Sequence, residues 1–145
     1  MVDNMEEEFS KYEAFAKQME TRFPKMFSEP YGGFAIGEGW WPIIESLCAT
    51  IQGHINWWNT NHEKHPIVEQ VVVMQIKEKF GGLRFYYEGG DEQIRGMVYM
   101  AENWAAHTCE VCGNVGTSRS GGWIKTLCDT HEAERQERIK ERSNQ

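Results

Sequence analysis

Residues 109–131, CEVCGNVGTSRSGGWIKTLCDTH, decide how the last third of this 145-residue chain folds. Two residues separate Cys109 from Cys112, fifteen follow, and two more separate Cys128 from His131. A two-residue gap lets two side chains converge on one metal ion, and Gly113 relaxes the backbone at the turn. Thiolates and imidazole are the usual donors for tetrahedral zinc, and four protein donors leave no open coordination position. The pattern predicts one structural zinc ion on Cys109, Cys112, Cys128 and His131. The spacer holds four glycines and a β-prone segment at Trp123–Ile124, which predicts a short hairpin. Cys128 and His131 fall on the first turn of a last, charged helix. Knuckle, hairpin and helix in that order predict a treble clef.

Working back from the metal motif, residues 91–107 predict a helix capped by Asp91. Its apolar face is Ile94, Met97, Val98, Ala101 and Ala105. Residues 68–80, rich in β-branched side chains, predict a strand with Val72, Met74, Ile76 and Phe80 on one side. Gly81–Gly82 predicts the hairpin turn. The return strand carries Leu83, Phe85 and Tyr87 on one face, Arg84 and Tyr86 on the other. Residues 59–66 read as a polar turn. Pro42 opens a helix whose face is Ile44, Leu47, Ile51, Ile55 and Trp58, with Cys48 beside it as a small buried hydrophobe. Residues 28–40, with four glycines and a proline, read as a loop. Residues 5–23 predict a helix capped by Asp3 or Asn4, with Phe9, Tyr12, Phe15, Met19 and Phe23 on one face. The fold class is thus α+β: helices packed on a β-hairpin across residues 1–107, and a C-terminal treble-clef-like zinc module across 108–145.

Composition narrows what such a chain does. Its formal net charge is −7. From residue 109 onward six Lys/Arg meet six Asp/Glu, so the whole deficit lies in residues 1–108. Nucleic-acid affinity comes mainly from cations neutralising phosphates, so this balance disfavours a nucleic-acid partner and suits a protein partner. Arg135, Arg138 and Arg142 on the last helix form a basic patch that the glutamates between them dilute. No apolar run is long enough to cross a membrane. The acidic MVDNMEEEFS lacks an apolar signal region, which predicts a cytoplasmic protein and cysteines used for metal rather than disulfides.

No phosphate loop, nucleophile elbow or paired-carboxylate motif is present. His62 and His65 in HEKH are three apart on a turn, unlike the four-residue helical spacing of zinc proteases. His54 falls within a helix. His107 is near Cys109, but His131 has the better ligand spacing. Outside the metal motif the most distinctive stretch is Lys79–Tyr87. Arg84 and Tyr86 share a strand face there, and an Arg beside aromatics grips phosphate or stacks on a base. Lys79, Arg84 and Tyr86, with Trp40 and Trp41 from the glycine-rich loop, are the candidate ligand or partner residues.

GEGWWPIIESLC, VVMQIKEKFGGLRFYY, AENWAAHTCEVCG and GWIKTLCDTH, in that order, resemble a family of small uncharacterised phage and prophage proteins. The resemblance covers roughly residues 30–132. It implies origin and the zinc pattern and supplies no catalytic residue. The expected function is that of a non-enzymatic phage accessory protein that binds a host protein in the host cytoplasm, an antiviral defence component among the targets. A zinc-finger nucleic-acid regulator and a binder of a nucleotide-like ligand are the alternatives.

Overall fold

The computed structural model describes residues 2–61 and 63–144. It is α+β, with four α-helices and two small sheets among the described residues. Helix α1 spans Val2–Arg22 and α2 spans Trp41–Thr60. Strands β1 (Phe34–Ala35), β2 (Val72–Lys79) and β3 (Gly82–Glu88) form one sheet in that order. Helix α3 is Glu92–Ala105. Strands β4 (Thr117–Arg119) and β5 (Lys125–Leu127) pair antiparallel, and α4 runs Asp129–Ser143.

The helical periodicities translate into one shared core. Phe15 and Met19 of α1, the Ile44–Ile55 stripe of α2, Val73, Ile76, Leu83 and Phe85 of the sheet, and Ile94, Val98 and Ala101 of α3 bury into a single cluster. Cys48 is fully buried there, and burial pushes its thiol up to about 12. Asp91 caps α3 by accepting from the Ile94 N–H at 2.9 Å. Two expectations for α1 are corrected. The helix already includes residues 3 and 4, so Asn4 does not cap it, and the Asp3 side chain lies outside the described residues. Phe9 is 67% exposed, because the core begins only at Tyr12 and Phe15.

The hairpin departs from simple alternation. Val73 pairs with Tyr87 and Gln75 with Tyr86, which leaves Met74 as an extra residue on β2. This bulge resets the alternation. Val73 and Ile76 therefore both point inward, while Met74 and Phe80 face solvent. The expected Val72–Met74–Ile76–Phe80 face does not form. The turn is also displaced by one residue. Gly82 pairs with Lys79, so the two-residue loop is Phe80–Gly81, with φ of +54° and +78°. Positive φ at both loop residues matches strand twist, but Phe is strained there where glycine or asparagine is not. Residues 28–40 are not all loop, since β1 pairs in parallel with β2 through Phe34 and Ile76. Two residues between glycines are too few to show a period.

The region around the metal motif is stitched to this core by its own backbone. The Trp40 indole N–H donates to the Thr108 carbonyl at 2.8 Å, fully buried. Gly39 N–H donates to the Glu110 carbonyl at 2.8 Å, and Gly37 N–H to the Glu110 carboxylate at 2.8 Å. A Cβ on Gly37 would lie 2.3 Å from the Glu110 carbonyl, and one on Gly39 would lie 2.2 Å from the Cys109 carbonyl. Only glycine allows this approach. On the far side, the Thr126 hydroxyl donates to the Gly81 carbonyl at 2.6 Å.

Gly37→Ala and Gly39→Ala are each expected to cost about 2 kcal/mol or more by overpacking this seam. Gly53→Ala, on an exposed turn of α2 with open space around the added Cβ, is expected to gain about 0.5–1 kcal/mol. Urea unfolding midpoints decide, and equal effects at all three positions would show that the seam is not tight. The same melts are expected to show Phe80→Asn gaining about 1 kcal/mol, because asparagine tolerates the left-handed region.

Candidate metal centre

The knuckle is built by local backbone bonds. Gly113 N–H donates to the Cys109 carbonyl at 2.9 Å, and Cys109 N–H to the Asn114 carbonyl at 2.7 Å. Gly113 has φ +82°, the left-handed conformation this turn needs. The β4–β5 hairpin then returns the chain, and Cys128 serves as N-cap of α4, its Sγ accepting from the His131 N–H at 3.4 Å. Arg119 fastens hairpin to helix, bonding the Leu127 carbonyl and the Asp129 carboxylate, the latter at 2.7 Å.

These elements bring the donor atoms of Cys109, Cys112, Cys128 and His131 within 4.8 Å of one another, a group that can hold a metal ion. Cys112 Sγ lies 3.8 Å from Cys128 Sγ, and Cys109 Sγ lies 3.6 Å from His131 Nδ1. A regular tetrahedron with Zn–S near 2.3 Å and Zn–N near 2.0–2.1 Å has S–S edges of about 3.8 Å and S–N edges of about 3.6 Å. The fit is close, save that Cys128 Sγ to His131 Nδ1, at 3.1 Å, is shorter. Burial pushes the Cys109 thiol up, but the backbone N–H groups of Cys128, Cys112 and Val111 outweigh it and bring the thiol down to about 7. Cys112 is shifted the other way. The Asn114 N–H favours its thiolate, but burial and the neighbouring Cys109 and Cys128 sulfurs raise it on balance.

The apolar material here is slight: a small cluster of Cys109, Leu127 and Cys128. Burying one Leu is worth about 1.5–3 kcal/mol. A bound structural metal supplies about 10–16 kcal/mol in comparable small modules. A metal ion held there would therefore dominate the folding of this segment.

The other histidines stand apart from the cluster. His107 Nδ1 faces the Asn103 carbonyl at 3.0 Å. His54 Nε2 meets the Asp91 carboxylate at 2.8 Å, and His65 packs on Trp57 and Trp58. His62 lies outside the described residues. Among the described residues no Ser, Thr or Cys hydrogen-bonds to His54.

The five candidate ligand residues do not converge. Trp40 is fully buried against Thr108, and Trp41 stacks on Phe15 at 4.4 Å, edge-on to Tyr12. Lys79, Arg84 and Tyr86 stand on the solvent face of the hairpin, Arg84 opposite Lys77 and Tyr86 opposite Gln75. What sequence reading missed is a cleft of ≈570 Å³ between β1 and the metal module. Its walls include Tyr12, Glu78, Glu110, Trp123, Lys125 and Arg138. Lys125 Nζ lies 3.8 Å from both Glu78 and Glu110. Burial raises the Glu110 carboxyl above its ordinary range, with the Gly37 N–H and Lys125 pulling it back. No short-range signal links these positions, because only the seam brings them together. No protein-family model, curated protein or solved structure matches the chain.

One equivalent of tightly held metal is expected by elemental analysis, and a chelator is expected to unfold at least residues 109–131. Retention weakens as pH falls below about 7, where protons compete for the Cys109 thiolate. Metal-free protein that melts unchanged would remove the site.

Proposed function

We propose that the chain is a zinc-stabilised, non-enzymatic accessory protein of phage or prophage origin that binds a host protein and inhibits or redirects it, antiviral defence components being candidate targets. The closed donor set carries this reading. Three cysteines and one histidine suit zinc, and four protein ligands leave no position for substrate or activated water. The sequence of knuckle, β4–β5 hairpin and α4 supports a treble-clef module. The ion's role is structural.

A binding role is supported by apolar side chains that the core leaves outside. On α3, Met100 is 66% and Trp104 48% exposed. Both border an apolar groove of ≈170 Å³ against Ile43 and Leu47 of α2. Trp is prominent among residues that anchor protein interfaces, and a grouped apolar surface marks interaction sites more often than scattered side chains do. The N-terminal two-thirds, which holds the negative charge, suits a basic partner.

Tagged, zinc-loaded protein is expected to capture a specific protein from bacterial host lysate. Met100→Glu and Trp104→Ala are each expected to weaken that capture about tenfold, as hot-spot truncations do. Capture that both variants leave intact would move the interface elsewhere, and no specific capture would count against the function itself.

A further inference from the structure

Trp123 is 77% exposed, at the end of the Gly121–Gly122 segment, and it borders three concavities. One is the ≈570 Å³ cleft already described. The second, ≈310 Å³, is a slot shared with Glu78, Lys79, Phe80 and Ile124. The third, ≈340 Å³, is a groove along α4 lined by Arg135, Arg138, Ile139 and Arg142. No carboxylate lines this third groove.

Arg135, Arg138 and Arg142 recur at steps of three and four, so they share one helix face. Arg135 is committed: it is buried, bonds the Trp123 carbonyl, and meets Glu132 at 3.3 Å. It fixes where Trp123 stands. Arg138 and Arg142 have no carboxylate partner among the described residues, and the nearby Glu134 faces His131 instead. The glutamates that dilute this charge in the linear sequence therefore do not line the groove. The −7 net charge lies in residues 1–108. At physiological salt, exposed charges more than about 8 Å away are largely screened, so the field at the groove is set by near neighbours, the arginines together with Glu134, Glu137 and Glu141 of the same helix.

Phe80 adds a second exposed ring, 71% accessible, held at φ +54° although a side chain is strained there. Lys79 sits 5.7 Å over that ring. Two open rings with unpaired cations beside them are the equipment of single-strand recognition. Bases stack on the rings, and arginines meet the phosphates.

We propose that Trp123, with Arg138 and Arg142, binds a nucleotide unit of single-stranded nucleic acid, the base on the indole and its two flanking phosphates on one guanidinium group each, and that Phe80 beside Lys79 stacks a neighbouring base. Arginine forks suit phosphate geometry, and an indole face stacks on any base, so the site reads strand chemistry rather than sequence. The surface lies on α4 and the hairpin tips, away from the α2–α3 groove assigned above to a protein partner, and either assignment can fail alone.

Fluorescence anisotropy of a labelled oligothymidylate with the zinc-loaded full chain tests this. Two phosphate contacts on a single strand give a log–log salt slope of about −1.4, so affinity is expected to fall about sevenfold between about 50 and about 200 mM salt. Arg138→Ala and Arg142→Ala are each expected to lower that slope by about 0.7. Trp123→Ala is expected to weaken binding about tenfold, with Trp123→Phe retaining most of it. None of these three positions belongs to the Cys109–Cys112–Cys128–His131 cluster, and unchanged zinc content confirms that the variants fold. A mononucleotide that displaces the oligomer places the site's ligand among free nucleotides, and failure to displace it places it on strands; both support the phosphate-and-ring chemistry. Three results overturn the proposal: no oligonucleotide binding at low salt, binding that none of the variants weakens, or capture of an acidic peptide that the oligonucleotide does not contest.

Discussion

A buried hydrogen bond from the Trp40 indole to the Thr108 carbonyl sets the position of everything after residue 107. Its donor is completely inside the core, and an unpaired buried donor costs about 1–3 kcal/mol, so the knuckle cannot drift without that penalty. The bond also explains the glycines before it. To put the indole against Thr108, the backbone at Gly37 and Gly39 must run against Glu110 and Cys109 at distances that admit no Cβ. Glu110 answers with both its carbonyl and its carboxylate. The residue after the first metal ligand is therefore bound into the core, and Cys109 is placed by the same contact.

This constraint separates what was legible in the sequence from what was not. The candidate metal cluster was legible because such chemistry acts through spacing: two gaps of two residues single out Cys109, Cys112, Cys128 and His131, and their donor atoms come within reach of one ion. Helices α2 and α3 were legible because their apolar stripes are long enough to show a period, and Asp91 because capping is a local event. The hairpin was legible as a pair of strands but not in register. One extra residue at Met74 resets every side chain before it, and alternation alone carries no mark of a bulge. Strand β1 and the ≈570 Å³ cleft were not legible at all. Both exist only where distant segments meet, Phe34 with Ile76 in one case, Glu78 with Lys125 and Glu110 in the other.

The displaced turn has the same origin. Gly81–Gly82 offers the least strained two-residue loop, yet the loop is Phe80–Gly81. Both polar groups of Gly81 are held from outside the turn's own ladder. Its N–H donates to the Glu78 carboxylate at 2.7 Å, and its carbonyl accepts from Thr126. Inward placement of Leu83 and Phe85 fixes the return strand as well. Tertiary contacts thus override a local preference worth about 1–2 kcal/mol, and Phe80 is left exposed at positive φ as the consequence.

Charge shows the converse: a quantity easy to read from sequence but easy to misapply. Net charge is a sum over the molecule, whereas binding is decided within a Debye length. Helix α4 carries five acids to four bases along its sequence, but three- and four-residue spacing sorts Arg135, Arg138 and Arg142 onto the face that meets Trp123. What the spacing does not set is where that face stands relative to Trp123. The hairpin bearing Trp123 and the helix bearing the arginines are joined mainly through the ligand cluster, Arg119 and Arg135, with little apolar core between them. A metal ion on these four donors would fix hairpin against helix, and so would determine whether the aromatic ring and the arginines present one surface or two unrelated ones.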